Sequence, residues 1–188
     1  MKNKIWFVTG ASKGLGLALV KKLLSSGYRV AATSRNVKDL QNAVNAGREV
    51  FLPLAVDLIN ENSVENAIKE TVSHFGSIDV VVNNAGYGLL GGLEELTDNE
   101  VRQQFDVNVF GAVAMMKAVL PFMLMKLNNP DLSAEVTKAV STFLDDPKNL
   151  AIVAAPPNPV PLAMIAAGAM GAPQQLPETL GLKIIANQ

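Results

Sequence analysis

The 188-residue chain has no cysteine, and His74 is its only histidine. Disulfides and thiolate chemistry are thereby excluded, and a metal site built from thiolate and imidazole has almost nothing to work with. No metal ligands are expected. An excess of either charge is missing as well: 16 Lys and Arg stand against 17 Asp and Glu, a formal net charge of −1. Such a balance gives no electrostatic case for nucleic acid or an anionic membrane surface. No stretch reaches the roughly 18 consecutive apolar residues of a membrane span. The apolar run at the N-terminus is too short for a signal peptide. Tyrosine is nearly missing, with only Tyr28 and Tyr87. These absences lead us to expect a soluble, cytoplasmic protein of one domain, or one domain with a short appendage, that binds neither nucleic acid nor membrane.

Glycine, by contrast, is concentrated where it matters. Thr9 to Gly16 read TGASKGLG, between the apolar run Ile5-Trp6-Phe7-Val8 and a segment with Leu15, Leu19, Leu23 and Leu24 near helical spacing. The first is a buried strand by its length and β-favouring side chains; the second is an amphipathic helix. A strand, a glycine loop and a helix N-terminus make a phosphate cradle, because free backbone N–H groups and the positive end of the helix dipole face the loop. Gly10 would allow the tight turn, Gly14 the approach of a diphosphate, and Gly16 close packing of helix on strand. Any strand-to-helix turn can carry glycines, but three within this loop favour a nucleotide over an ordinary turn.

Strand and helix alternate up to about Leu127. Tyr28–Thr33 is expected as the second strand and Val37–Ala46 as a helix ended by Gly47. Val50–Val56 is a third strand, in which Pro53 indicates an edge or a strand end. Glu61–Phe75 is a helix that stops at Gly76, and Ile78–Val82 a fourth strand. Alternation at this pitch implies an α/β fold: a Rossmann-type, doubly wound parallel sheet with helices on both faces and right-handed crossovers. A helix should start near Thr97 with Glu100 completing a capping box, and a longer apolar helix should run from about Val107 to Leu127.

The character changes near residue 128. Asn128-Asn129-Pro130-Asp131 is a turn signal, and Leu132 to Leu144 one more amphipathic helix closed by Asp145-Asp146-Pro147. From Asn149 onward only Glu178 and Lys183 are charged, and six of the ten prolines lie there. Leu150–Ala155 reads as a strand, followed by a proline-rich bend through Pro161. Leu162–Ala172 is a short Ala/Met/Gly helix, Leu176–Gly181 (LPETLG) a loop, and Leu182–Ala186 a last strand. The organisation is thus a dinucleotide-binding region, 1–127, and a divergent tail, 128–188, packed on the same domain, with the fold truncated or modified at its C-terminal end.

Four further features agree with the glycine loop. The second strand ends in Thr33-Ser34-Arg35, where the adenosine ribose of a dinucleotide would lie. An acidic residue there would bond a free 2′-hydroxyl. Arg35 and Lys13 offer two cations instead, which suits a 2′-phosphate and hence NADP(H); the plain alternative is a pair of solvated surface charges. Asp57, after the third strand, can accept a hydrogen bond from the adenine amine or serve as a turn residue. Asn83-Asn84-Ala85-Gly86 ends the fourth strand with amides that can brace its neighbours and small residues that leave room for a ribose. Asp106-Val107-Asn108-Val109 sets an amide in an apolar helix, where asparagine is a poor helix former, and bonding to backbone is the structural explanation.

Together these residues resemble the short-chain dehydrogenase/reductase family over roughly residues 1–127. TGASKGLG matches its TGxxxGxG pattern, Asp57 its adenine-site acid, NNAG its sheet-bracing motif and Asn108 the asparagine of its catalytic tetrad. The resemblance implies cofactor contacts from Gly10, Ser12, Lys13, Gly14, Leu15, Gly16, Arg35, Asp57, Asn84, Ala85 and Gly86. It also implies hydride transfer between a nicotinamide and a carbonyl or alcohol substrate. In that family a tyrosine is the general acid/base, a lysine lowers its pKa, and a serine binds the substrate oxygen. The acid is needed because hydride addition leaves an alkoxide, and free tyrosine, with a pKa of about 10, must be tuned down.

Here the chain departs from the family. Neither Tyr28 nor Tyr87 begins a Tyr-x-x-x-Lys pattern. The nearest echo, Thr137-Lys138-Ala139-Val140, has Ala134 where the tyrosine would stand, so Lys138 reads as the polar face of a helix. Ser133 and Ser141 match no serine-strand motif, Tyr87 reads as pocket lining, and His74 as a helix-end cation. Asn158 would reach the cleft only if Leu150–Ala155 replaced the family's fifth strand. Three hypotheses result: an NADP(H) oxidoreductase whose acid lies elsewhere, a dinucleotide-binding or interaction module without turnover, and a truncated or spliced family fragment. The helix around 107–127 is apolar on most of its circumference and must be covered on more than one side, by a homodimer partner or by the tail.

Overall fold

The computed structural model describes residues 4–124, 130–156, 158, 160–161, 163–165 and 175–187. Two compact units divide within one helix: Met1–Val119 and Leu120–Gln188.

The first unit is a four-stranded parallel sheet of order β3-β2-β1-β4, with β1 Ile5–Val8, β2 Arg29–Ser34, β3 Phe51–Ala55 and β4 Val80–Val82. Helices α1 (Gly14–Ser25), α2 (Val37–Ala43) and α3 (Glu61–Phe75) make the crossovers. Both faces of the sheet are covered. Val8, Val30, Ala32 and Phe51 join Val20 and Leu23 of α1 and Leu40 of α2 in one core cluster. Ile5, Phe7, Ala31 and Leu52 point the other way by strand alternation and are equally buried. A sheet buried on both sides reads as continuous apolar runs, as these strands do. Pro53 lies in β3, at the end of the sheet order, where a missing N–H costs no ladder bond on the outer side.

Local chemistry sets the helix ends. Asn36 and Asn60 cap α2 and α3 by accepting from Lys38 N and Ser63 N. Gly76, at φ 89°, closes α3 in the left-handed conformation. The capping box Thr97–Glu100 starts α4, Asp98–Phe105, as expected. Beyond it the chain makes a π turn, Asp106–Phe110, before α5, Gly111–Leu124. The three run on as one helix, Asp98–Leu124, whose most apolar 18-residue window has mean hydropathy 1.8. By length and composition alone that helix is long and apolar enough to cross a membrane; Asn108 and Lys117 interrupt the run of apolar residues without lowering the mean below that level.

In the second unit, α6 (Pro130–Asp145) packs on an antiparallel pair, β5 Leu150–Ala154 and β6 Leu182–Ala186. Glu135 of α6 accepts a hydrogen bond from Ile184 N at 3.0 Å. Asn187 donates from Nδ2 to Thr142 O, and its backbone N–H bonds Asn149 O, tying the helix end to the strand pair.

Several boundaries differ from expectation. Helix α2 ends at Ala43 because Val44 is extended, so Gly47 lies in the following turn. Strand β4 starts at Val80, two residues after Ile78, and β2 and β3 differ from expectation only at their ends. Leu176–Thr179 is a turn of helix rather than loop, with Pro177 early in it and Gly181 at φ 55° after it. Strand β5 pairs with β6 and not with the parallel sheet, so it does not take the place of a fifth strand, the condition on which Asn158 would reach the cleft. The end of the helix expected to reach Leu127, the Asn128-Asn129 turn and most of Leu162–Ala172 lie outside the described residues.

Candidate functional site

The sheet order reverses between β1 and β4: the chain moves outward through β2 and β3, then returns to the far side of β1. A crevice at the carboxyl ends of strands opens at such a switch point. A cavity of about 460 Å³ lies there, lined by the glycine loop, the ends of β2 and β3, and Asn84 to Tyr87.

The loop is shaped by its glycines. Gly10 has φ 64°, and a Cβ on it would sit 2.6 Å from Ala85 Cα, so only glycine lets the loop lie on the end of β4. A Cβ on Gly16 would run into Asn84 Nδ2 and Gly10 O. Gly14, at φ 58°, has nothing within 4 Å of its Cβ direction and faces open space. Helix α1 begins at that glycine. Its N-cap, Lys13, makes no side-chain cap bond, and the first turn holds no acidic residue. The first-turn N–H groups of α1 therefore remain available to an anion.

Thr9 and Asn84 hold this arrangement together. Thr9 is fully buried; its Oγ1 donates to Val82 O at 3.3 Å and accepts from Asn84 N and Ala85 N, each at 3.0 Å. The Asn84 amide donates to Thr9 O at 2.9 Å and to Gly10 O at 3.0 Å. The bracing expected of NNAG is thus directed at the glycine loop, while Asn83 reaches Ala112 O at 3.5 Å.

The expected cofactor residues converge on the cavity: Gly10, Ser12, Lys13, Gly14, Leu15, Gly16, Arg35, Asp57, Asn84, Ala85 and Gly86 all line it. Lys13 and Arg35 are exposed at its rim. Asp57 accepts from Ile59 N at 3.2 Å, a local turn bond that fixes one carboxylate oxygen, and its N–H donates to Ser63 Oγ. Thr33 and Ser34, expected beside the adenosine ribose, line it as well, whereas sequence reasoning did not single out Val56, Leu58 and Val107 as cavity lining. Most of these are neighbours of residues already named, and only the fold says which neighbours face inward.

Asn108 sits in the π turn, half-buried. Its Nδ2 donates to Tyr87 O at 2.7 Å and its Oδ1 accepts from Tyr87 N at 3.0 Å. Both ends of the amide are thereby used to hold the chain just past Gly86, whose own Cβ would meet Asn108 Oδ1 at 3.1 Å. Tyr87 itself is 42% exposed at the cavity wall. In α6, Lys138 is exposed, Ser133 donates to Leu124 O and Thr137 to Ser133 O, so these hydroxyls are engaged with helix backbone. His74 contacts Arg48 O at 2.7 Å. Among the described residues no group of three acidic or imidazole side chains could hold a metal.

A doubly wound parallel sheet with a glycine cradle at its switch point defines a Rossmann-type nucleotide-binding protein. The family model for short chain dehydrogenase matches residues 4–129, and the chain belongs to that family. A second family model, described only as an uncharacterized protein, matches residues 90–187. The chain is 43% identical over 122 residues to an oxidoreductase, BOA17, of Botryotinia fuckeliana, spanning 64% of this chain and 44% of the relative. Among solved structures, it resembles a metagenomic short-chain oxidoreductase in complex with NADP (30% identity, TM-score 0.61, 68% of this chain and 59% of that one). It also resembles a 3-ketoacyl-(acyl-carrier-protein) reductase of Brucella melitensis complexed with NADH (28% identity, TM-score 0.63, 66% of this chain and 52% of that one). The chain spans about half the length of the proteins it matches.

Proposed function

We propose that the cavity binds NADP(H), and that this chain's own residues do not carry the family's tyrosine-dependent turnover. The observation that carries the first half is the start of α1, without a side-chain cap, beneath the open side of Gly14: open space at a helix N-terminus whose first-turn N–H groups can meet a phosphate. Lys13 and Arg35 at the rim favour the extra phosphate of NADP(H) over the bare ribose of NAD(H). Gly10 to Gly16 would hold the diphosphate, Asp57 the adenine amine, and Asn84 to Gly86 the strand-end surface beside a ribose. When bound, the cofactor supplies or accepts a hydride; the chain's part is to orient it.

The second half rests on what lines the cavity. Among the described residues, Tyr87 is the one tyrosine that lines it, and Lys13, at the diphosphate end, the one lysine. Asn108, the residue matching the family's catalytic tetrad, braces Tyr87 backbone. A dinucleotide-binding module is therefore the reading we favour over an active carbonyl reductase or alcohol dehydrogenase. Exposed Phe105, Val109, Phe110 and Met116 support a homodimer through the helix around 107–127, checked by the mass of the chain in solution.

Titration with NADPH, followed by its fluorescence, tests the binding claim; no spectral change on saturation would refute it. Arg35→Asp is expected to weaken NADPH by about tenfold or more, as loss of a charge-assisted phosphate contact does, and NADH far less. Equal losses would remove the NADP(H) assignment. Turnover of aldehydes, ketones or quinones that survives in Tyr87→Phe would show an acid elsewhere, and turnover lost in it would make Tyr87 that acid.

A further inference from the structure

The antiparallel ribbon of the second unit has two unlike edges, and the phase of its ladder says what each offers. Asn187 N donates to Asn149 O, and Ala155 N to Gly181 O, at the two ends of the β5–β6 register. Hydrogen-bonded pairs alternate along an antiparallel ladder. Ala151 and Val153 therefore also bond β6, while Leu150, Ile152 and Ala154 turn their N–H and C=O groups outward. The same phase turns Ile184 N outward on β6, where α6 covers it: Glu135 Oε1 accepts that N–H at 3.0 Å. Strand β5 has no such cover. All five of its residues are exposed, Ile152 at 72%, and among the described residues β6 is their one ladder partner.

A free apolar edge is a template for another strand, and folded proteins blunt such edges with a charge, a proline or a bulge. The segment LAIVA holds no charge and no proline, and its register with β6 runs one for one without a bulge. A ribbon of two strands is also marginal alone and gains from further strands. The outward positions say which strand fits, because they are symmetric about Ile152. A second copy laid antiparallel, with Ile152 opposite its own counterpart, sets Leu150 opposite Ala154 and Ala154 opposite Leu150. Every outward N–H and C=O then meets one from the other copy. The side chains agree with that register: Ile152, which faces Ile184 in its own ribbon, meets a second Ile152, a cross-strand pair of β-branched residues. No like charges are brought together within the strand. We propose that β5 is a self-association edge, at which a two-fold axis beside Ile152 joins two copies of the ribbon into one antiparallel sheet. The contact is isologous and closes on itself. It uses a different face from the helix around 107–127 and does not depend on nucleotide binding. An edge of five residues is a small interface, of the weak and reversible class.

Because the chain has no cysteine, single introduced thiols report the contact. Directly opposed residues of a hydrogen-bonded pair stand about 5.5 Å apart at Cα, within the roughly 4.4–6.8 Å that a disulfide spans. Oxidation of the concentrated full chain with diamide, read on a non-reducing gel, is expected to convert Ile152→Cys into a covalent dimer. Leu150→Cys and Ala154→Cys should each give at least fivefold less, because either thiol lies on the order of 13 Å along the strand from its own counterpart. Mixed together, those two variants should bridge. Adding Ile152→Pro to both members of the mixture should remove the bridge, since the lost N–H faces outward and the β6 ladder is kept. No bridge in Ile152→Cys or in the mixture, equal bridging in all three single variants, or a bridge undiminished by Ile152→Pro overturns the proposal.

Discussion

Gly10 and Gly14 have nearly the same backbone conformation, φ 64° and 58°, but different surroundings. Adding a methyl at Gly10 incurs the left-handed penalty, about 1 kcal/mol, and a clash with the end of β4. Adding one at Gly14 incurs only the penalty, because its space is open. Gly10→Ala is expected to lower the melting temperature strongly, and Gly14→Ala only slightly. Gly14→Ala should nonetheless abolish most NADPH binding by filling the diphosphate space. A Gly14→Ala chain that melts normally and binds normally would show that no phosphate lies there. The roles of Gly10 and Gly16 were legible because a positive φ and a close approach both demand glycine at the positions the motif gives. The hub at Thr9 was not. A hydroxyl's value depends on which two strand ends meet around it, and a linear pattern does not contain that meeting.

Among the elements, those with chemical punctuation were legible. Helix α3 begins at Asn60 and ends at Gly76, and α4 begins with its box at Thr97. Asn60→Ala should destabilise the fold by about 1 kcal/mol through the lost cap, seen as an earlier denaturant midpoint with unchanged slope. The carboxylate of Glu100 is held below the usual glutamate range by the Thr97 N–H and then by its hydroxyl. Its contribution is complete at neutral pH and is lost as pH falls through the lowered value, because protonation then removes the acceptor. Amide protection factors at residues 97–101, taken against the intrinsic exchange rate at each pH, should fall over that acid window in the parent chain and be nearly flat with pH in Glu100→Gln. The π turn at Asp106–Phe110 was invisible, since an inserted residue leaves the apolar content of the helix unchanged and shifts only its phase. The turn of helix at Leu176–Thr179 was missed for a related reason: Pro177 suits the first turn of a helix and Gly181 its end, but so short a segment has no periodicity to read.

Taken whole, the molecule keeps its candidate site inside the unit Met1–Val119, and its single tryptophan, Trp6, stands in β1 of that unit. A ligand that binds only the folded unit raises its stability by about 2.7 kcal/mol at a hundred times its dissociation constant. Saturating NADPH should therefore shift the unfolding midpoint reported by Trp6 upward by several degrees, and Arg35→Asp should reduce the shift. An unmoved midpoint at saturation would contradict a site in this unit. The change of character near residue 128 was legible as composition, but the destination of the tail was not. Strand pairing depends on partners far apart in the chain, and Leu150–Ala154 is apolar enough to suit a parallel sheet as well as the antiparallel ribbon it forms.

The paired grip of Asn84 on Thr9 O and Gly10 O has an electrical consequence. By donating to both carbonyls, it engages a lone pair on each and draws them toward its own amide, so that the helix-start donors weigh more in the sign of the field there. A surface so rectified welcomes an anion and offers a divalent cation little to coordinate. Dinucleotide capture should accordingly be indifferent to magnesium: the NADPH titration is expected to give the same curve with EDTA as with millimolar Mg²⁺, and to weaken instead as monovalent salt is raised.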